Sequence, residues 1–170
     1  MISFLLFVLF LTVAGLAIGT LIAVKVWYSL PIFLFIIAAF CFGTFWIGVL
    51  FGAAFFSWLP VFITKFIIIL FCIGLVIYFF RQFHPSYGYF PYRGWIHWAL
   101  IALFFFLIGL EFASIGLSAW LLLLLLPIFL GAVFGGTILM GKLKVLYRGS
   151  SVFLYLPLAL FVFLAIFKLL

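Results

Sequence analysis

Glu111 is the only acidic side chain in 170 residues, and it lies inside 107–120, LIGLEFASIGLSAW, within an apolar run long enough to cross a membrane. An ionised carboxylate at that depth costs about 2.5 kcal/mol or more. The group must therefore be protonated, pair with a cation, or line a wet cavity. Ser114 is three residues on and shares its helical face, so its hydroxyl is a hydrogen-bond candidate. The chemistry that Glu111 and Ser114 would support is a proton or cation relay in transport. The plainer reading is a neutral Glu hydrogen-bonded between helices, or docked on a basic residue of a partner subunit.

Enzymatic readings are weak. General acid–base catalysis asks for paired titratable groups, and the chain has a single acid. His84 and His97 stand thirteen apart around an aromatic loop, a spacing that could serve haem or metal ligation, though interfacial histidines more often simply sit among lipid headgroups. Cys41 and Cys72 show no metal-ligand spacing and read as small buried residues. No nucleophile elbow, phosphate loop or zinc motif is present. The expectation is a protein that is not an enzyme and uses no cofactor.

The elements that must position these groups are membrane helices. Hydrophobic residues make up 73% of the chain and charged residues 5%, against about 25% charged in a soluble domain. The solvent for such a chain is lipid. Apolar runs without alternation argue against a β-barrel. The net charge of +7 is spread along the chain, without the clustering a phosphate backbone requires, so nucleic acid is not an expected partner; membrane lipid is.

The hydropathy pattern predicts an all-α integral membrane protein of six transmembrane helices, at about 2–24, 31–58, 60–80, 96–116, 119–141 and 151–170. It forms one transmembrane domain: a first three-helix half (1–80), an interfacial loop (81–98) and a second half (99–170). The N-terminus has no basic region before its apolar run, which argues against a cleaved signal peptide. Trp27 and Tyr28 suit headgroup depth. In the loop, Arg81, Arg93, Trp95 and Trp98 are candidates for lipid-headgroup or partner contact. The tight turn near 117–119 would make helices four and five antiparallel neighbours. Six basic residues, Lys25, Arg81, Arg93, Lys142, Lys144 and Arg148, fall on one side and only Lys65 and Lys168 on the other. The positive-inside rule then puts those loops in the cytoplasm and both termini outside, in a plasma membrane of the bacterial inner-membrane kind.

Two short matches recur in order. AGLAIG (14–19) resembles EFASIG (111–116), and GVLFGA (48–53) resembles GAVFGG (131–136). They suggest two three-helix halves, and an odd number of helices per half makes the halves inverted. Gly15 and Gly19, Gly48 and Gly52, and Gly131 and Gly135 are each four apart and form smooth strips for close helix packing.

Inverted three-helix halves, small size, and an acid just before small residues resemble the lysine-exporter superfamily, in particular its small manganese-exporter branch. In those proteins an acid recurs in the first helix of each half. LEFASIG is similar to the second-half motif, with Glu111 in the acid's place, and GAVFGGTILMGKL is similar to the glycine-rich fifth helix and its basic end. The first half departs from the pattern: it offers Ala14, with Thr12 nearby as the polar candidate, where the other acid would stand. One carboxylate makes a poor divalent-cation site, because hard cations collect several oxygens.

Two readings follow. One is a small transporter-like protein moving a small cation or solute through a bundle with one buried carboxylate. The alternative is a non-catalytic subunit or assembly factor of a larger membrane complex. A homodimer or other membrane subunits are compatible with either.

Overall fold

A computed structural model describes residues 2–24, 31–56, 60–84, 88–90, 95–116, 120–146 and 151–169. Among these every extended element is a helix, with one isolated antiparallel bridge between His84 and Gly88. It runs α1 (Ile2–Ala23), α2 (Pro31–Phe55), α3 (Val61–Gln82), α4 (Trp95–Ser114), α5 (Leu121–Leu146), a 3-10 turn (Ser151–Tyr155) and α6 (Leu156–Phe167). The predicted turn at 117–119, with Lys25, Trp27, Tyr28, Arg93 and Arg148, lies outside the described residues.

Local chemistry accounts for most boundaries. Pro31 and Pro60 stand at helix starts, where a missing N–H costs nothing. α4 stops where Gly116 takes φ +72°, a left-handed conformation that glycine adopts without penalty. α5 runs five residues past its predicted end at 141, because KLKVL contains no breaker; Lys142 and Lys144 therefore ride on its last turns rather than in a loop. The interfacial loop is correspondingly shorter than 81–98, since α3 continues to Gln82 and α4 begins at Trp95.

Five helices, α1 to α5, are long and apolar enough to cross a membrane. The sixth departs from expectation. The continuous crossing predicted over 151–170 is instead a five-residue 3-10 turn followed by twelve α-helical residues. Pro157, near the start of α6, cannot donate to a preceding turn, which fits the change of helix type there. At 1.5 Å per residue α6 alone rises about 18 Å, short of the ~30 Å hydrocarbon core.

The helices pack in a definite order. α1 lies along α5, α2 along α4 and α3 along α6, with α1 also against α6 and α3 against α4, so α4 and α5 are not the packed neighbours that a tight turn between them predicts. Phenylalanine fills the interior. Phe112 meets both Phe7, at 5.2 Å, and Phe45 edge-on; Phe104 meets Phe161 at 5.7 Å and Phe105 meets Phe129 at 5.2 Å. The outside is equally apolar: Phe62, Ile32, Leu123 and Val145 are among many exposed large side chains. Such a surface is suited to lipid and not to water.

Small residues let backbones touch at two crossings. A methyl group on Gly15 would lie 2.8 Å from Ala132 Cβ, and one on Gly19 would run into the Val133 carbonyl, beside Gly136. At the second crossing Gly48 faces Phe106 and Gly109, and Gly52 faces Ala113 at 2.6 Å. The strip that α5 offers to α1 is thus Ala132 and Gly136, one residue on from Gly131 and Gly135. Gly131 has open space around a would-be Cβ, and Gly135 meets only Leu16, at 3.6 Å.

Candidate functional site

Glu111 is completely buried in the last turn of α4, and its partner is Lys168, which caps α6. Lys168 Nζ donates to both carboxylate oxygens, at 2.7 Å to Oε1 and 2.5 Å to Oε2. The ammonium also sits 4.0 Å from the ring centroid of Phe10 and 5.8 Å from that of Phe7, where the negative faces of the rings attract it. The pair carries no net charge, which removes most of the cost of an isolated carboxylate in lipid. Its geometry meets the conditions under which a buried pair survives: short bidentate hydrogen bonds and a second source of stabilisation for the cation.

The pair forms part of the wall of a cavity of about 310 Å³, at the lower end of the ~300–1,000 Å³ typical of small-molecule sites. Four helix ends build it: the start of α1, the start of α3, and the ends of α4 and α6. Lys65, from the second turn of α3, contributes a second ammonium. Ser114 also lines the cavity; its hydroxyl donates to the Glu111 carbonyl at 2.8 Å, and its oxygen lies 3.4 Å from that of Thr64. Glu111 has no exposed side-chain surface, while the Lys168 side chain keeps 7% of its own. The ion pair is therefore the floor of the cavity rather than a free group within it.

Toward the opposite end of the same helices lies an aromatic cluster. Phe79 and Phe83 from the end of α3 pack on Tyr89, which is 1% exposed; Phe79 also meets His97 from the start of α4, and Phe83 meets Tyr155. Tyr89 Oη donates to the Leu154 carbonyl at 2.7 Å, tying the interfacial loop to the 3-10 turn. Burial, with Tyr155 adding to it, pushes the Tyr89 hydroxyl well above its ordinary pKa, so it stays a neutral donor at physiological pH. Tyr89→Phe should lower unfolding stability by about 1 kcal/mol, the worth of one intramolecular hydrogen bond, and thermal unfolding in detergent would measure the loss.

The predicted site residues scatter around this core. Glu111 and Ser114 come together in the cavity wall. Thr12 does not join them: its hydroxyl bonds back to the Val8 carbonyl at 2.7 Å, and it is not among the residues lining the cavity. Arg81 is exposed at the end of α3. Trp95 is exposed, whereas Trp98 stacks on Phe90 at 5.3 Å and meets Phe40 edge-on at 6.3 Å. His97 is buried with Nε2 3.5 Å from Tyr78 Oη. Among the described residues no group of three or more His, Cys, Asp or Glu is placed to hold a metal. Cys41 and Cys72 are buried free thiols on separate helices.

Sequence reasoning missed Lys168 and Lys65 as site residues and used them only as markers of topology. A signal was available: they are the two basic residues assigned to the sparsely charged side, and the chain's single acid ends its helix there. The 57-residue separation of Glu111 and Lys168 concealed the pairing.

No family model matches the chain, no curated protein matches its sequence, and no solved structure matches its fold. Fold and composition define its class: a small all-α integral membrane protein, polytopic, with five helices long and apolar enough to span the bilayer.

Proposed function

We propose that this protein is a small membrane transporter whose solute enters the cavity and meets the Glu111–Lys168 pair. The carrying observation is the placement of that pair: the chain's one acidic side chain and a lysine form the floor of a cavity at one end of the bundle, while aromatic side chains cluster around Phe79 and Tyr89 toward the other. A chain serving stability alone would do as well with two apolar side chains, because a buried pair seldom outperforms a packed hydrophobic one. A charged floor beneath a small-molecule-sized space is better explained as a binding element.

The helix packing supports an architecture of inverted halves. Exchanging α1 with α4, α2 with α5 and α3 with α6 turns the set of neighbouring helices into itself: α1–α5 becomes α4–α2, and α1–α6 becomes α4–α3. The small-residue crossings obey the same exchange. Gly15 on Ala132 corresponds to Gly109 on Gly48, and Gly19 on Gly136 to Ala113 on Gly52. This register pairs Glu111 with Ala17, three residues from the Ala14 suggested by the sequence matches. In either register the first half lacks the acid, so the ion pair breaks the symmetry. Halves of this kind commonly rock about a central site. By the positive-inside rule, the cavity opens outward together with both termini, and the Tyr89 cluster faces the cytoplasm.

A likeness to the manganese-exporter branch would imply inverted halves of this kind, but the site argues against a divalent cation. Glu111 is already neutralised by Lys168, and hard cations need several oxygen ligands.

The test is solute flux in proteoliposomes with two variants. Glu111→Gln should abolish flux. The double variant Glu111→Leu/Lys168→Met, in which no buried charge is left alone, should fold and remain inactive. Flux retained in the double variant would make the pair a structural brace and end the transporter reading. A second reading, a non-catalytic subunit of a membrane complex, is favoured by the scarcity of polar groups inside: among the described residues the buried polar or charged side chains are Thr20, Thr64, His97, Glu111 and Lys168. A stoichiometric partner in a gentle-detergent purification would establish it.

A further inference from the structure

We infer that the cavity takes a monoanion with an apolar body, its charge received by Lys65. The inference rests on the binding role proposed above for the cavity and adds the class of ligand.

The charge balance points to it. Two ammonium groups and one carboxylate line the space. Glu111 is committed to Lys168 through both oxygens. Two of the three N–H directions of Lys168 are thereby used, and the Phe10 ring lies against the same ammonium. Glu111 is the chain's only acidic side chain, so Lys65 has no side-chain carboxylate left to neutralise it. The cavity therefore carries one excess positive charge, held half-buried on α3 and repelled by Lys168. A cation entering would meet that charge with no free carboxylate to offset it. A dianion would leave one charge unpaired in a low-dielectric space. A single negative charge balances the site.

The remaining walls describe the rest of the ligand. Leu6, Phe7, Val61, Ile115 and Phe167 supply apolar surface around the charged end. Small-molecule sites commonly combine apolar walls with a few placed polar groups. A short organic acid has the required form, and so does the single phosphate charge of an anionic lipid headgroup attached to its acyl chains.

The experiment uses the full chain in phosphatidylcholine nanodiscs, with thermal stabilisation and calorimetry as readouts. The probes are benzoate, its neutral analogue benzamide, its cationic analogue benzylamine, and phosphatidylglycerol added to the disc. Benzoate should stabilise saturably, while benzamide and benzylamine should not. Lys65→Met should keep the unliganded unfolding midpoint and weaken benzoate roughly 10- to 100-fold, the equivalent of one charge-assisted hydrogen bond. Lys65→Arg should retain binding. Stabilisation by phosphatidylglycerol alone, lost in Lys65→Met, would identify the lipid source of the same chemistry. Equal responses to benzoate and benzamide, a response to benzylamine, no response to any probe, or undiminished benzoate binding in Lys65→Met would overturn the inference. The two proposals fail separately. Benzoate binding without benzoate flux removes the transporter reading and leaves the anion site standing. Flux of a neutral or cationic solute without benzoate binding does the reverse.

Discussion

Replacing Lys168 by methionine should destabilise the protein by about 3–5 kcal/mol, the range measured when one member of a buried ion pair is removed. The size follows from what is left behind. Glu111 has no exposed surface and accepts both of its side-chain salt-bridge hydrogen bonds from Lys168. Without the ammonium, the carboxylate must stay charged in a low-dielectric interior or take up a proton, and either costs free energy. The ring of Phe10, 4.0 Å from Nζ, would lose a cation and gain a thioether, a contact worth less but still favourable. Adding Glu111→Leu should recover most of the loss, because the double variant removes both charges and refills the volume with apolar atoms. Lys65→Met is the control: Lys65 is half-buried and has no paired carboxylate, so its stability effect should stay within about 0.5 kcal/mol. Denaturant unfolding in detergent micelles would measure all four proteins. A small loss in Lys168→Met, equal to that of Lys65→Met, would show that the pair contributes nothing to the fold.

The second large effect is expected at the crossing of α2 and α4. Gly109→Ala adds one methyl group, yet that methyl would run into the Phe45 carbonyl and lie 2.8 Å from the Val49 nitrogen and 3.0 Å from the Gly48 carbonyl carbon. All three obstacles are backbone, so no rotamer change relieves them and the helices must separate. Overpacking costs typically about 1–3 kcal/mol, and a backbone obstacle places this substitution at or above the top of that range. Alanine's better helix propensity returns only about 1 kcal/mol, so the steric term wins. Gly43→Ala in the same helix pair reverses the balance: nothing lies within 4 Å of its would-be Cβ, so the propensity gain stands alone and the variant should be unchanged or slightly stabilised. Unfolding midpoints of the two variants, compared with the unmodified protein, decide the matter. Equal midpoints would mean that the two helices do not approach as closely as the backbone positions indicate.

Much of the architecture is legible in the amino-acid chain alone. The medium follows from composition, because no water-facing surface can be built from so few polar residues. The helices follow from apolar runs bounded by Pro31, Pro60 and Gly116, since proline and glycine act on the backbone locally. Glu111 is identifiable as the residue needing an explanation, because the cost of a charge in lipid is a property of the residue and its depth. Close packing at Gly15, Gly19, Gly48 and Gly52 is also foreseeable, since the four-residue spacing places both members of each pair on one helix face.

The tertiary structure decided what depends on neighbours distant in sequence. Spacing marks the glycines of α5 but does not say which face of α5 meets α1, and a shift of one residue, about 100° around the helix, moves the strip from Gly131 and Gly135 to Ala132 and Gly136. The shortness of α6 arose from a 3-10 turn, which hydropathy does not register. Above all, the partner of Glu111 lay outside local reach. Lys168 reads in the sequence as an ordinary basic residue at a helix end, and an ion pair between residues 57 positions apart exists only because α4 and α6 bring their C-terminal ends together. The chain by itself determined that a charge had to be compensated inside the membrane; the packing of six helices determined which residue compensates it, and left Lys65 at the same cavity with a charge of its own.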